Sequence, residues 1–203
     1  MSGTLVKEGK ALIISESGLV KAMKESYKTD GYTVANISGA VAIWTDHWCI
    51  KCIQRNLPRK ALAQIVEHAG ELPEPDTAMY LRKGDDPQWA SKDYVTAELA
   101  EWWTPAGNQS RAYMVPIVFA GLVMYQATTL ECFAADPVHL AILERGVAEQ
   151  LAVQVDTHGQ AVLTEDDCQV CIQMDKPAEL YGKTWMANAW AELEKVRLYA
   201  RDE

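Results

Sequence analysis

Four of the five cysteines lie in two copies of one string. Cys49-Ile50-Lys51-Cys52-Ile53-Gln54 followed by Pro58 is echoed by Cys168-Gln169-Val170-Cys171-Ile172-Gln173 followed by Pro177. Two C-x-x-C elements supply the ligands of a tetrahedral zinc centre, so Cys49, Cys52, Cys168 and Cys171 could clamp two halves of a fold together. A C-x-x-C at a helix N-terminus would instead lower a thiol pKa for redox work. Local pattern argues against both. Trp48 to Ile53 reads as extended chain, where residues three apart point to opposite faces. The helix that follows starts several residues too late. The first reading is therefore buried thiols with no metal and no cofactor, and the alternative is zinc held by the four cysteines. His47, with Asp46 before it, makes a Cys-His dyad with Cys49 conceivable, but sequence neighbours rarely form a catalytic pair. His68, His139 and His158 read as helix-surface or turn residues.

The charges around the two strings differ. Lys51, Arg55, Arg59 and Lys60 follow the first string with no acid among them, and the N-terminus of the next helix adds partial positive charge. The matching stretch of the second copy carries Glu165, Asp166, Asp167, Asp175 and Glu179 against Lys176. Solvated faces explain both sets. The functional reading is a basic end for phosphate or an acidic partner, and an acidic end for a basic protein groove.

The repeat extends upstream. Ser15 aligns with Asp136, Leu19 with Leu140, Val34 with Val155, and Ala40-Val41 with Ala161-Val162, all at one offset that shortens by two at the cysteines. In the first copy, Ala11 to Ile14 reads as a strand and Ser15 or Ser17 as the cap of a helix through Tyr27. Tyr32 to Ile37 and Ala40 to Gln54 read as a hairpin around Ser38-Gly39. A helix from Pro58 should then end at Gly70. The second copy repeats this with a helix from Asp136 to Gln150, a hairpin of Leu151 to Asp156 with Ala161 to Gln173 around His158-Gly159, and a last helix after Pro177. Trp185, Ala189, Leu193 and Val196 form the expected core face of that helix.

Residues 73–130 lie between the copies. They read as a strand from Thr77 to Arg82, a turn at Gly84 to Pro87, a helix capped by Ser91 with Val95, Leu99, Trp102 and Trp103, and a hairpin from Tyr113 to Thr129. The near-continuous apolar run of that hairpin predicts strands buried on both faces. The expected fold is α+β: internally duplicated helix-hairpin-helix units, 1–72 and 131–203, related by a pseudo-twofold and flanking a central β-rich module with one helix, all in a single globular unit over 1–203.

Composition bounds the function classes. The chain has 203 residues, 49% of them hydrophobic and 23% charged, which suits one compact unit with little disorder. A net charge of −9 opposes non-specific attraction to nucleic acid or anionic membrane. The polar opening MSGTLVKEGK does not resemble a secretory signal, and the expected location is the cytoplasm. Cysteine usage in that setting favours thiols or metal ligands over a structural disulfide. The familiar phosphate-loop, dinucleotide, zinc-protease and serine-hydrolase signatures are absent. Asp85-Asp86 and Asp166-Asp167 read as turns.

Asn56 to Pro73, with LPRK-x-L-x-x-IVEH-x-G-x-x-P inside it, follows a strand holding Trp48 to Cys52. Residues 10–75 thereby resemble small uncharacterised proteins encoded on phages and mobile elements of gut bacteria. The resemblance implies an accessory protein that works by binding rather than by catalysis, and an inhibitor of a host defence nuclease of the anti-CRISPR type is the expectation. Its partner would be a protein such as a nucleic-acid-binding nuclease. The alternatives are a zinc-stabilised four-cysteine module contacting nucleic acid through Lys51, Arg55, Arg59 and Lys60, and an enzyme with an unfamiliar site.

Overall fold

The computed structural model describes residues 13–91, 99, 109–154, 159–165, 167–176 and 184–199. It is a mixed α+β fold built on one antiparallel sheet. The strands are β1 (Tyr32–Ile37), β2 (Ala40–Trp44), β3 (Trp48–Ile53), β4 (Thr77–Leu81), β5 (Gln88–Ser91), β6 (Gln109–Phe119), β7 (Leu122–Ala127), β8 (Cys132–Ala135), β9 (Gln150–Gln154), β10 (Gln160–Glu165) and β11 (Cys168–Gln173). Their order is β5-β4-β1-β2-β3-β11-β10-β9-β6-β7-β8. The helices are α1 (Glu16–Lys28), α2 (Arg59–Ala69), α3 (Pro137–Leu140), α4 (Arg145–Ala148) and α5 (Thr184–Leu193).

Helix α1 starts where expected, with the Ser15 hydroxyl accepting from the Gly18 amide at 3.4 Å. Gly18 is required there, because a Cβ would run into the carbonyl of Ala141 just past α3. Helix α2 ends at Gly70, which takes the left-handed conformation at φ 86° and donates its amide to the Val66 carbonyl.

Several elements depart from the sequence expectation. Ala40 to Gln54 is two strands, because the Thr45 hydroxyl accepts from the amides of His47 and Trp48 and folds the chain into a tight turn. Ala161 to Gln173 is likewise divided, at Asp167 with φ 62°. Each expected hairpin is thus a three-stranded meander, β1-β2-β3 and β9-β10-β11. The predicted helix from Asp136 to Gln150 is two single turns, α3 and α4, of four residues each. Of the predicted strand at Ala11 to Ile14, the described part is an isolated bridge between Ile14 and Leu143. The hairpin at Ala120-Gly121 forms, but β6 alternates between buried and exposed residues instead of being buried on both faces. Ser91, expected to cap a helix, instead ends β5; Leu99 is helical and buried, and the rest of the predicted helix, 92–98 and 100–103, lies outside the described residues, as does His158.

One large core lies under α1 and α2 and runs along the sheet through Val34, Ile43, Trp48, Ile50, Tyr125, Phe133, Val153 and Val170. A smaller cluster on the opposite face joins Ala35, Trp44, Cys49, Ala78, Leu99 and Cys171. A third sets Trp190 of α5 against Val115, Met124, Cys132 and Ala134. The core face of α5 is therefore rotated from the predicted one: Trp190 is buried and Leu193 packs beside it, whereas Trp185 and Val196 are exposed. Gln126, fully buried on β7, holds the end of α5. Its amide donates to the Val196 carbonyl at 2.9 Å and its carbonyl accepts from the Leu198 amide at 2.7 Å.

The chain leaving β11 closes the C-terminal half. Asp175 and Ala134 exchange both backbone hydrogen bonds at 2.8 Å, tying the end of β11 to the outermost strand β8. Strands β11 to β8 therefore curl round on themselves, whereas β3 to β5 stay open. Among the described strands, the β3–β11 ladder is what joins the two runs.

Candidate functional site

The β3–β11 register brings the two cysteine strings together. Cys52 stands opposite Cys168, and Cys49 opposite Cys171. Because each pair of cysteines is three apart on a strand, the four divide between faces. Cys52 and Cys168 lie in the large core, and Cys49 and Cys171 in the smaller opposite cluster. A single ion cannot reach all four through the sheet, and among the described residues there is no group of three or more His, Cys, Asp or Glu placed to hold a metal.

The expectation of thiols fails for one pair: Cys52 and Cys168 form a disulfide, whereas Cys49, Cys132 and Cys171 lie outside it. The hydrogen-bond phase of the ladder separates the two pairs. Gln173 donates to the His47 carbonyl at 2.8 Å and Ile53 to the Asp167 carbonyl at 3.3 Å. By alternation Cys49 and Cys171 form a hydrogen-bonded pair, with backbones farther apart, and Cys52 and Cys168 a non-hydrogen-bonded pair, with Cα atoms 4.2 Å apart. The closer Cβ atoms of the second type suit a disulfide. Burial raises the Cys171 thiol to about 12. Burial, with Glu194 beside it, raises Cys132 to about 11. Both stay protonated at neutral pH, which is the wrong state for a nucleophile or a metal ligand.

The charged residues are distributed along the same ladder. Lys51 is half-buried on β3 across from Gln169, and Arg55 lies exposed in the 3-10 turn Gln54–Asn56. Arg59 is the first residue of α2. Lys60 pairs with Glu16 at 3.2 Å, and the same carboxylate accepts its amide at 3.3 Å. Glu16 of α1 therefore places a carboxylate beside the α2 N-terminus. Asp167 adjoins the exit of β3 through the Ile53 hydrogen bond, so the basic strand exit and the acidic turn are neighbours. Glu165 lies with Arg111 on an open hollow of about 670 Å³ over β9 and β10. Asp175 sits at the far end of β11, separated from Glu165 and Asp167, and Asp166 and Glu179 lie outside the described residues.

Near that far end a recess gathers several titratable side chains. A cavity of about 350 Å³ opens between the C-terminal half of α1, the β2–β3 turn, Tyr80 of β4 and the start of α3. Glu25, Asp30, Asp46 and Asp136 line it, together with His47, His139 and Tyr80, and the buried Trp44 and Trp48 back its wall. The His47 and His139 rings stack with centroids 5.2 Å apart and planes 17° apart. Burial holds the His139 pKa below its ordinary value, opposed by Asp136 and Asp175 and assisted by His47. Asp136 also caps α3 by accepting from the Val138 amide at 2.7 Å. Gly31, at φ 83°, lets Tyr80 lie close, since a Cβ there would strike the phenol ring; the Tyr80 hydroxyl donates to the Asp30 carbonyl.

Sequence reading places His139 at the surface and does not group these side chains, which come from four separate stretches. The polar interruption Thr45-Asp46-His47 in an apolar run is the available signal. His68, also expected at the surface, is a structural link: it stacks on Tyr27 at 3.7 Å, meets the Tyr32 hydroxyl at 3.0 Å through Nδ1, and meets the Gln64 amide at 2.8 Å through Nε2. Among the described residues no helix is long and apolar enough to cross a membrane. Compared with known proteins, the chain matches no protein-family model and no curated protein.

Proposed function

We propose that this chain is a non-enzymatic binding protein. The observation that carries this reading is the cavity between α1, the β2–β3 turn and α3, where carboxylates from separate elements surround one recess. The chemistry-bearing cysteines favour the same reading, since Cys132 and Cys171 are buried and held as neutral thiols. The partner is a protein with a basic surface, matched by the net charge of −9.

The sharper form of the proposal is a cytoplasmic accessory protein of a phage or mobile element that inhibits a host defence nuclease. Its supports are the resemblance of residues 10–75 and the acidic charge. We also read the two meanders as halves of an internal duplication; the antiparallel pairing of their equivalent cysteine strings supports this. Affinity-tagged protein expressed in a bacterium carrying a defence nuclease tests the function. Stable co-purification with the nuclease or its guide complex, with loss of cleavage, is the expected result. Failure to bind any such complex, together with turnover in a substrate screen, overturns it.

A further inference from the structure

We propose that Cys49 and Cys171 are a redox-sensitive pair that closes, under a thiol oxidant, into a second cross-link of the β3–β11 ladder. The two stand directly opposite each other in the register, and both belong to the small cluster on the face away from Cys52 and Cys168. Their position is a hydrogen-bonded one, which sets opposed Cα atoms about 5.5 Å apart, and that separation lies within the usual range for disulfides. Apart from these two, the cluster holds only Ala, Trp, Leu, Ile and Val side chains, so the one sulfur within it that each can bond is the other. Cys132 belongs to the separate cluster under α5 and does not compete.

A low-molecular-weight disulfide such as oxidised glutathione balances the step. The thiolate of one cysteine displaces a first glutathione and forms a mixed disulfide; the thiolate of the other then displaces the second and closes the S–S bond. Two electrons pass from the cysteines to the oxidant, and the two thiol protons end on the released glutathiones. A dithiol reductant runs the step backwards. Both side chains are fully buried, and burial keeps the Cys171 thiol protonated, so closure waits on local opening of the ladder and is slow. The site matters because the β3–β11 ladder is the join between the open and curled parts of the sheet. Cys52–Cys168 fixes that join on one face, and a Cys49–Cys171 bond would fix it on the other.

This proposal stands apart from the identity of any protein partner. Overnight incubation of the full native chain with oxidised glutathione at pH 8, followed by alkylation in denaturant and tryptic mass spectrometry, tests it. Cleavage after Lys51 separates Cys49 from Cys52, so the two cross-links are told apart. The expected result is loss of two of the three thiols outside the existing disulfide, with the peptide ending at Lys51 joined to the one holding Cys168 and Cys171, and Cys132 still alkylated. Dithiothreitol should restore both thiols. Cys171→Ser should abolish the cross-link of the Lys51 peptide; its persistence there would mean exchange with the Cys52–Cys168 bond and overturns the proposal. The double variant Cys52→Ala, Cys168→Ala should still form the Cys49–Cys171 bond, and where it fails to fold the Cys171→Ser comparison alone decides. An unchanged thiol count in the native chain, a glutathione adduct that persists on one cysteine of the pair, or Cys49 joined to Cys132 also overturns the proposal.

Discussion

Cys52 is bonded to Cys168 across the ladder that joins the open and curled parts of the sheet, with their Cα atoms 4.2 Å apart. The bond closes a loop of sequence separation 116, so in the unfolded chain it ties the two halves to each other. Replacing both residues with Ala should lower unfolding free energy by about 2–5 kcal/mol, read from denaturant midpoints of the oxidised protein and the double variant. Equal midpoints would mean that the bond is not formed in solution or adds nothing.

Cys132 and Cys171 should resist alkylation in the native protein at pH 8 and react once it is unfolded. Their pKa values, about 11 and about 12, leave little thiolate at that pH, and both side chains are buried. Mass spectrometry after brief iodoacetamide treatment, with and without denaturant, measures this. Rapid native labelling at either site contradicts the burial.

Acid should destabilise the fold through two imidazoles. Burial is the largest cause lowering the pKa of both His68 and His139. Around His68, Glu67 works against that shift and Lys24 with it. The unfolded chain takes up protons first as pH falls, so stability is full above about 6.5 and declines as pH drops towards the folded values. Denaturant midpoints at pH 7.5 and pH 5.5 should therefore differ, with the lower pH less stable. A variant with His68→Gln and His139→Gln should lose much of that difference.

Gly18→Ala tests the contact between α1 and the turn after α3. The added methyl meets the Ala141 carbonyl, which is backbone and cannot swing away. A loss of about 2 kcal/mol or more is expected in equilibrium unfolding, although alanine is the better helix former. A stabilised variant would show that the helix packs elsewhere.

Gln126→Leu removes the clamp on the end of α5. The carbonyl of Val196 and the amide of Leu198 lose their side-chain partner. A cost of about 2–3 kcal/mol is expected, with faster amide exchange at Leu198. Unchanged exchange there would assign the order of this segment to Trp190 packing instead.

The strand and helix pattern was legible wherever one local cause acted alone. Ser15 capped α1, Gly70 ended α2, and Ser38-Gly39 and Ala120-Gly121 turned hairpins. It was less legible where a side chain competed with the backbone. Thr45 bent an apolar run that reads as one strand, because its hydroxyl satisfied two amides that a longer strand would have paired across the sheet. Tertiary packing also overrode periodicity in α5, where Trp190 and not Trp185 found the cleft over β7 and β8.

By itself the sequence determined the α+β class, the strand content of each cysteine string, and the division of each C-x-x-C between two faces, since alternation along a strand is a local property. Only the tertiary structure decided which residues meet. Antiparallel pairing of β3 with β11 set Cys52 against Cys168 and the basic strand exit beside Asp167, and the meeting of α1, the β2–β3 turn and α3 brought His47, His139 and four carboxylates to the edges of one recess. Register and cavity shape arise from contacts between segments far apart in the chain, and no window of sequence contains both partners.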